Sequence, residues 1–388
     1  MPAALLALFA AAFAIGTSEF VIAGILPAVS SDLAISIPVA GYLVSVYALG
    51  VAIGGPLLAT FTGRYSRKRL LLIYVGVFTI GYVGCALAPN YALLLTARAI
   101  ISLIHGAYFG TALVTAADVV DEKRRGFAIS LILAGLTVAN VVGVPIGSAI
   151  GNALGWRTTF WFVAGIGLIA LALIATLVPR DPPRPGENPS ILAGLKSLIR
   201  EPVYSSLAII VIQTVGQFAL FTYITPFLTG VTGVPLDVVP WLLLTFGVGS
   251  TIGMLGGGRL ADWNLMGTLT GMLVLQTVTY LLMFPFAHSP WAFGVIMLVW
   301  GTTLFGFAPP AQARIISSTR DAPLLASSLI PSSFNISIAF GAWLGGTLIE
   351  QGAPYEQLPW IGFVTTVISV AIAAASWLAL RRRPTGAT

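Results

Sequence analysis

Glu19, Arg98 and His105 are ionisable residues set inside long apolar runs, residues 4–27 for the first and 92–117 for the other two. On insertion scales a charged side chain at the centre of a membrane helix costs about 2.5–3.5 kcal/mol, so such residues persist where they face protein or water. Burial disfavours a carboxylate and a neighbouring guanidinium favours it, so a carboxyl whose surroundings alternate takes up and releases a proton. Glu19 is the candidate carrier, and Arg98 the candidate counter-charge. His105 is the candidate relay, since a neutral imidazole can pass a proton or hydrogen-bond a solute. The structural alternatives are a Glu19 bonded only to Thr17 or Ser18, a permanent Glu19–Arg98 pair that fixes packing, and a packing histidine. Asp118, beside Asp121 and Glu122, reads as a solvated cap.

Catalysis would need a Ser–His pair, a carboxylate dyad or a metal cluster. Cys85 is the lone cysteine and His288 the second of two histidines, so no disulfide, Cys-based zinc site or histidine-rich metal centre can form within the chain. No catalytic residue, metal ligand or cofactor is expected, and an intramembrane enzyme is the competing class that this inventory disfavours. A channel would show a filter-like repeat or a ring of charge, and neither is visible.

The elements that must carry these residues follow from composition. Of 388 residues, 57% are hydrophobic and 8% charged, against about 25% charged in soluble domains. The mean hydropathy of +0.96 spreads over the whole chain. Spans need about 20 residues each, and apolar runs between charge and Pro/Gly punctuation give twelve. They lie near 4–27, 41–62, 70–88, 92–117, 126–151, 158–178, 205–229, 238–259, 266–287, 291–313, 324–349 and 359–380. The runs are continuous, not alternating, which excludes a β-barrel. The first run has no Lys or Arg before it and is too long for a signal peptide, so it reads as a span.

All but Arg98 and Arg157 of the 19 basic residues fall after even-numbered spans. The positive-inside rule then places both termini in the cytoplasm of a bacterial inner membrane, and the pI near 9.6 becomes a topology signal, not a nucleic-acid one. A Pro-rich hydrophilic stretch, 179–204, separates a six-helix bundle at 1–178 from a second at 205–388. Within it ILAGLKSLI reads as a short amphipathic helix. The halves echo each other: Asn140 precedes a glycine series in span 5, as Asn335 does in span 11, and ATFTGR (59–64) and GRLADW (258–263) occupy matching places. Paired halves of this kind mark transporters built from repeats.

The residues also carry a family resemblance. ATFTGRYSRKR (59–69), ARAIISLIHGAYFG (97–110), GVPIGSAIG (143–151) and GWRTTFW (155–161) together resemble the major facilitator superfamily over essentially the whole chain. Within it, SEF (18–20) and TYITPFL (222–228) are similar to the drug:proton antiporter branch, near chloramphenicol-resistance proteins and arabinose or sugar efflux permeases. The resemblance implies an all-α major facilitator fold of two pseudo-symmetric six-helix halves, working as a monomer. It places spans 1 and 4 side by side on a central cavity. Counting residues at 1.5 Å each puts Glu19 and Arg98 at a common depth, roughly 9–12 Å below the outer surface. It also makes Arg64, Arg67, Lys68, Gly258 and Asp262 candidate gating residues, although Gly63 stands where the family has Asp.

Gly143, Pro145 and Gly147 are expected to form a close, bent contact between the halves suited to rocking. Candidate solute contacts are Phe20, Tyr108, Asn140, Gln213, Gln217, Phe221, Tyr223, Phe305, Gln312 and Asn335, since aromatics with sparse amides suit a largely apolar solute. The expected function is proton-coupled efflux of a small, mostly neutral drug-like or sugar-like compound. The alternative is a facilitator or uptake permease in which Glu19 is a substrate ligand. The expected partners are that solute, protons and the lipid bilayer.

Overall fold

The computed structural model describes residues 3–62, 65–180, 200–319 and 323–382. The expected amphipathic helix in the linker and the candidate Arg64 lie outside the described residues. The described chain is helical throughout, as a membrane requires, because a helix satisfies its backbone polar groups internally.

α1 (Ala3–Asp32), α2 (Ile37–Thr62), α3 (Arg67–Leu87) and α4 (Tyr91–Asp118) are the first four spans. The fifth is interrupted: α5 (Arg125–Val138) passes through a π-helical turn, Ala139–Gly143, into α6 (Val144–Leu154). Pro145, which has no N–H to give, stands just beyond that turn, so the break has an identifiable cause. Gly155 (φ +92) then lets the chain reverse directly into α7 (Trp156–Leu177). Span seven is α8 (Glu201–Phe221) continued by α9 (Ile224–Gly230), and span ten is α11 (Pro290–Gly306) continued by α12 (Ala308–Ser318). Pro226, Pro309 and Pro310 lie at those breaks. α13 (Pro323–Glu350) and α14 (Leu358–Arg382) are the last two spans.

Among the described residues, 11 helical stretches are long and apolar enough to cross a membrane. One of them, α10 (Val239–Phe286), has 48 residues, about 72 Å at 1.5 Å per residue against a hydrocarbon core of about 30 Å. It is two spans joined at Asn264, whose φ −149, ψ 90 leaves the helix and whose Oδ1 accepts from the Gly267 N–H at 2.9 Å, starting the next span. The expected division at 259–266 thus falls on a capped kink.

The chain packs as two units. The first comprises residues 1–188, 222–229 and 234–244, and the second comprises 189–221, 230–233 and 245–388. The pieces 222–229 and 234–244 follow the linker in sequence yet pack with the first six spans. Thr225 Oγ1 donates to the Ala23 carbonyl at 2.6 Å, and Asn152 Nδ2 donates to that of Leu236 at 3.4 Å.

Within each unit one helix pair meets backbone to backbone. In the first, side chains added at Gly50 and Gly54 would overlap Ser102 and the Leu103 backbone, so α2 lies directly on α4. In the second, Gly249, Gly253 and Gly257 lie on Leu298, Thr302 and Gly306, so the front of α10 lies on α11 in the same manner. The span-5 seam is also close, with one correction. Gly135, Gly143 and Gly147 abut Ala12, Thr17 and Val21 of α1, so this contact is made inside the first unit and not between halves.

Charged groups tie the helix ends. Asp32 accepts from Trp156 Nε1 at 3.1 Å and from Arg157, whose Nη2 also donates to the Ala88 carbonyl at 3.0 Å. Arg67 pairs with Asp118, which is therefore an ion-pair partner and not merely a solvated cap. Lys68 donates to the Ala175 and Val178 carbonyls at the end of α7, where a cation is favoured. In the second unit Arg314 reaches Glu201 at 3.1 Å, and Ser376 bonds both. Exposed pairs of the Asp32–Arg157 kind contribute at most about 1 kcal/mol, so Arg157→Ala should lower the unfolding temperature only slightly. Cys85 is fully buried and is the lone thiol, so its labelling by a thiol-reactive dye during heating reads the transition directly.

Candidate functional site

Three helices of the first unit converge on Glu19. The glycine contact between α2 and α4 is what allows it: with Gly50 against Ser102, Tyr47 sits one turn from the crossing and its hydroxyl reaches α4. Tyr47 Oη lies 3.1 Å from His105 Nδ1 and 3.2 Å from Ser18 Oγ. On its other side the imidazole faces the acid, with His105 Nε2 3.9 Å from Glu19 Oε2. Side-chain exposure is 6% for His105 and 11% for Glu19, so the array is enclosed.

Proton positions follow from the bonding pattern. Ser18 has one hydroxyl hydrogen and donates it to the Ile15 carbonyl at 2.7 Å, so towards Tyr47 it can only accept. Tyr47 therefore donates to Ser18 and accepts from Nδ1–H of His105. That tautomer leaves Nε2 with its lone pair towards Glu19. A protonated Glu19 can donate into it after closing about 1 Å, or through one water.

Arg98 is placed differently from the sequence-based expectation. It is fully buried, donates from Nε to the Leu43 carbonyl at 3.1 Å, and lays its guanidinium 4.6 Å from the centre of the Tyr47 ring. Neither terminal nitrogen bonds to a described residue. Arg98 acts on Glu19 through space, and the contact partner of the acid is His105. Glu19 makes no hydrogen bond to Thr17 or Ser18, whose hydroxyls donate to the α1 carbonyls of Phe13 and Ile15.

Tyr47 had no signal in the sequence. It is one tyrosine of 11, in a span without a charged residue, and only the α2–α4 crossing reveals it. Tyr47→Phe removes the shared hydroxyl and leaves the buried Nδ1–H unpaired. Such a loss costs about 1–3 kcal/mol, so the Cys85-reported unfolding temperature should fall by more than with Arg157→Ala. Equal shifts would place the hydroxyl outside any network.

The candidate solute residues separate by unit. Phe20, Tyr108, Asn140 and Tyr223 are in the first. Tyr108 is buried with its hydroxyl committed to the Leu8 carbonyl at 2.6 Å, and Tyr223 packs on Gly41, so both serve helix packing. Asn140 is half-buried in the π turn. Gln213, Gln217, Phe221, Phe305, Gln312 and Asn335 are in the second unit. Gln213 is fully buried with neither amide atom partnered, and Gln217 Nε2 is likewise unpartnered. Asn335 donates to the Pro331 carbonyl of its own helix at 3.1 Å and keeps a free Oδ1. Phe221 stacks on Phe246 at 4.9 Å and lies 6.1 Å from Trp300, whose Nε1 donates to Tyr280 Oη. Gly258 is open to its surroundings, and Asp262 is exposed two residues before the Asn264 kink. Among the described residues no three His, Cys, Asp or Glu side chains are grouped to hold a metal.

Comparison with known proteins returns one consistent picture. The family model described as Major Facilitator Superfamily matches residues 8–324. The chain is 36% identical over 380 residues to the inner membrane transport protein YdhP of Escherichia coli, covering 98% of this chain and 96% of that one. It is 28% identical to a probable sugar efflux transporter of Helicobacter pylori, covering 95% and 92% of the two chains. It is also 28% identical to the putative transporter AraJ of Escherichia coli, covering 92% and 91%. A crystal structure of a bacterial homologue of the human lysosomal transporter Spinster superposes with a TM-score of 0.73 over 97% of this chain and 96% of that one, at 18% identity.

Proposed function

This chain belongs to the Major Facilitator Superfamily, and from that premise we propose that it is a proton-coupled antiporter that exports a small, largely neutral compound by alternating access. It is a multi-pass membrane transporter and not an enzyme. In the proposal it lies in a bacterial inner membrane as a monomer with both termini in the cytoplasm.

The observation that carries the coupling is the array Glu19–His105–Tyr47–Ser18 beside the unpaired Arg98. Protonated, Glu19 gives its hydrogen to Nε2 and the array becomes a single directed chain of donors. Deprotonated, it supplies the negative charge nearest a guanidinium that no other described group neutralises. The two forms therefore favour different local arrangements, as coupling to a conformational equilibrium requires. One charge moving down 100 mV supplies about 2.3 kcal/mol, about a fiftyfold gradient.

The substrate reading rests on the second unit. Buried amide groups without partners among the described residues, both atoms of Gln213 and the Nε2 of Gln217, match a solute bearing hydroxyl or amide groups, and the Phe221–Phe246–Trp300 surface matches its apolar face. The printed name of the Helicobacter relative is in keeping with a sugar-like solute, and a phenicol has the same combination of groups. The test uses everted membrane vesicles energised by respiration and offered radiolabelled phenicols, dyes and sugars. Uptake of at least one compound, abolished by an uncoupler, is expected. Transport that equilibrates but never concentrates, with or without uncoupler, would instead assign a facilitator in which Glu19 contacts the solute.

A further inference from the structure

A groove in the first unit, unrelated to the Glu19 array, is built for a different ligand. It has a volume of about 440 Å³ and is lined by Leu58 and Thr62 of α2, Tyr65, Arg69, Leu70, Ile73 and Tyr74 at and after the α2–α3 turn, and Ile104 of α4. Its walls are apolar apart from one end. Of its polar groups, Thr62 and Tyr74 bond to each other at 3.0 Å, so these two hydroxyls are not left needing water, while Tyr65 lies at the exposed turn. Ile73 is half exposed on its rim. Ile104 lies 14 residues before the end of α4 at Asp118, roughly 21 Å at 1.5 Å per residue. The groove therefore runs from the helix ends to the middle of a bilayer, the depth of one acyl chain.

The charge sits at the other end. Three consecutive basic residues open α3, and two are already engaged, Arg67 with Asp118 and Lys68 with carbonyls of α7. Arg69 is exposed at the groove mouth and makes no ion pair among the described residues. An apolar channel of acyl-chain depth whose mouth carries the exposed Arg69, without an ion pair among the described residues, complements an anionic phospholipid.

We propose that this groove holds a phospholipid of the leaflet at the basic end of the helices, with an acyl chain between α2, α3 and α4 and its phosphate on Arg69. The site is independent of proton coupling and of the exported solute. A lipid lodged there wedges the first turn of α3 against α2, next to the Arg67–Asp118 and Lys68–α7 ties.

Native mass spectrometry of the full chain in detergent tests the assignment, with palmitoyl-oleoyl phosphatidylglycerol and phosphatidylcholine added in turn. Wild type should retain the anionic lipid about fivefold better, the preference expected of one basic residue at a membrane surface. Arg69→Gln should erase that preference. Arg259→Gln, the same charge loss at an exposed residue outside the groove, should preserve it. Ile73→Trp, which fills the groove from its rim, should reduce retention of both lipids while the Cys85-reported unfolding temperature confirms the fold. Equal retention of both lipids by wild type would overturn the proposal. So would equal effects of the two arginine variants, which mark general surface potential, or undiminished retention in the folded Ile73→Trp protein. Displacement of the lipid by glycerol 3-phosphate would reduce the site to an anion contact and overturn the acyl-chain assignment.

Discussion

Glu19→Gln should leave solute exchange intact and abolish uphill transport. Glutamine keeps the size and hydrogen-bonding reach of a protonated glutamate but has no proton to release. The neighbouring groups cannot take over the role. His105 commits Nδ1–H to Tyr47, Tyr47 commits its hydrogen to Ser18, and Ser18 commits its own to Ile15. A proton reaching Nε2 in the variant has no carboxylate beside it. In proteoliposomes with an imposed pH gradient, the accumulation ratio should fall from about fiftyfold per 100 mV and proton to unity. Counterflow of labelled against unlabelled solute should stay within about threefold of wild type, since exchange of solute for solute needs no net proton movement and glutamine brings no charge to the site. Concentrative transport by the variant would remove Glu19 from the coupling role. Loss of both activities would make it a solute ligand.

The largest effect on folding is expected at Gly54. A methyl group there overlaps the Leu103 backbone, which cannot rotate away as a side chain can. Overpacking within a core ordinarily costs about 1–3 kcal/mol, and a clash with main chain belongs at or beyond the upper end. Gly54→Ala should therefore yield little monodisperse protein, with Cys85 labelled at room temperature. Gly253→Ala, against Thr302, should fail equally in the second unit. Gly76→Ala is the matched control, since nothing lies within 4 Å of an added Cβ there, and it should be neutral or slightly stabilising in a helix. A wild-type melt for Gly54→Ala would mean that α2 and α4 stand further apart than described.

The spans were legible because each carries its own evidence, an apolar run closed by charge, proline or glycine. The division at 259–266 and a bend at Pro145 were readable for the same reason, as both are local, whereas the cap at Asn264 and the π turn were not. Glu19 was conspicuous by its cost in an apolar run. Its partner was not, because which side chain reaches it depends on how three helices cross. Equal depth pointed to Arg98, yet depth says nothing about rotation around the helix axis, and His105 two turns further along α4 faces the acid. The glycines of span 5 announced a close approach but not its partner, and the expected contact between halves is made with α1 instead. Tyr108 and Tyr223 could not be told from solute ligands until the Leu8 carbonyl and Gly41 were seen beside them.

The π turn at Ala139–Gly143 sets a counting constraint on the fifth span. Such a turn accommodates one residue more than regular winding allows. Excising a single residue from it would restore uniform pitch and leave the helix beyond facing α1 much as before. The same excision from the regular winding of α5 or α6 has no such slack, and the residues beyond it would swivel by about 100°. Gly147 and Gly151 lie against α1, so this stretch should tolerate loss of one residue within Ala139–Gly143 far better than loss of one from the regular turn just before it.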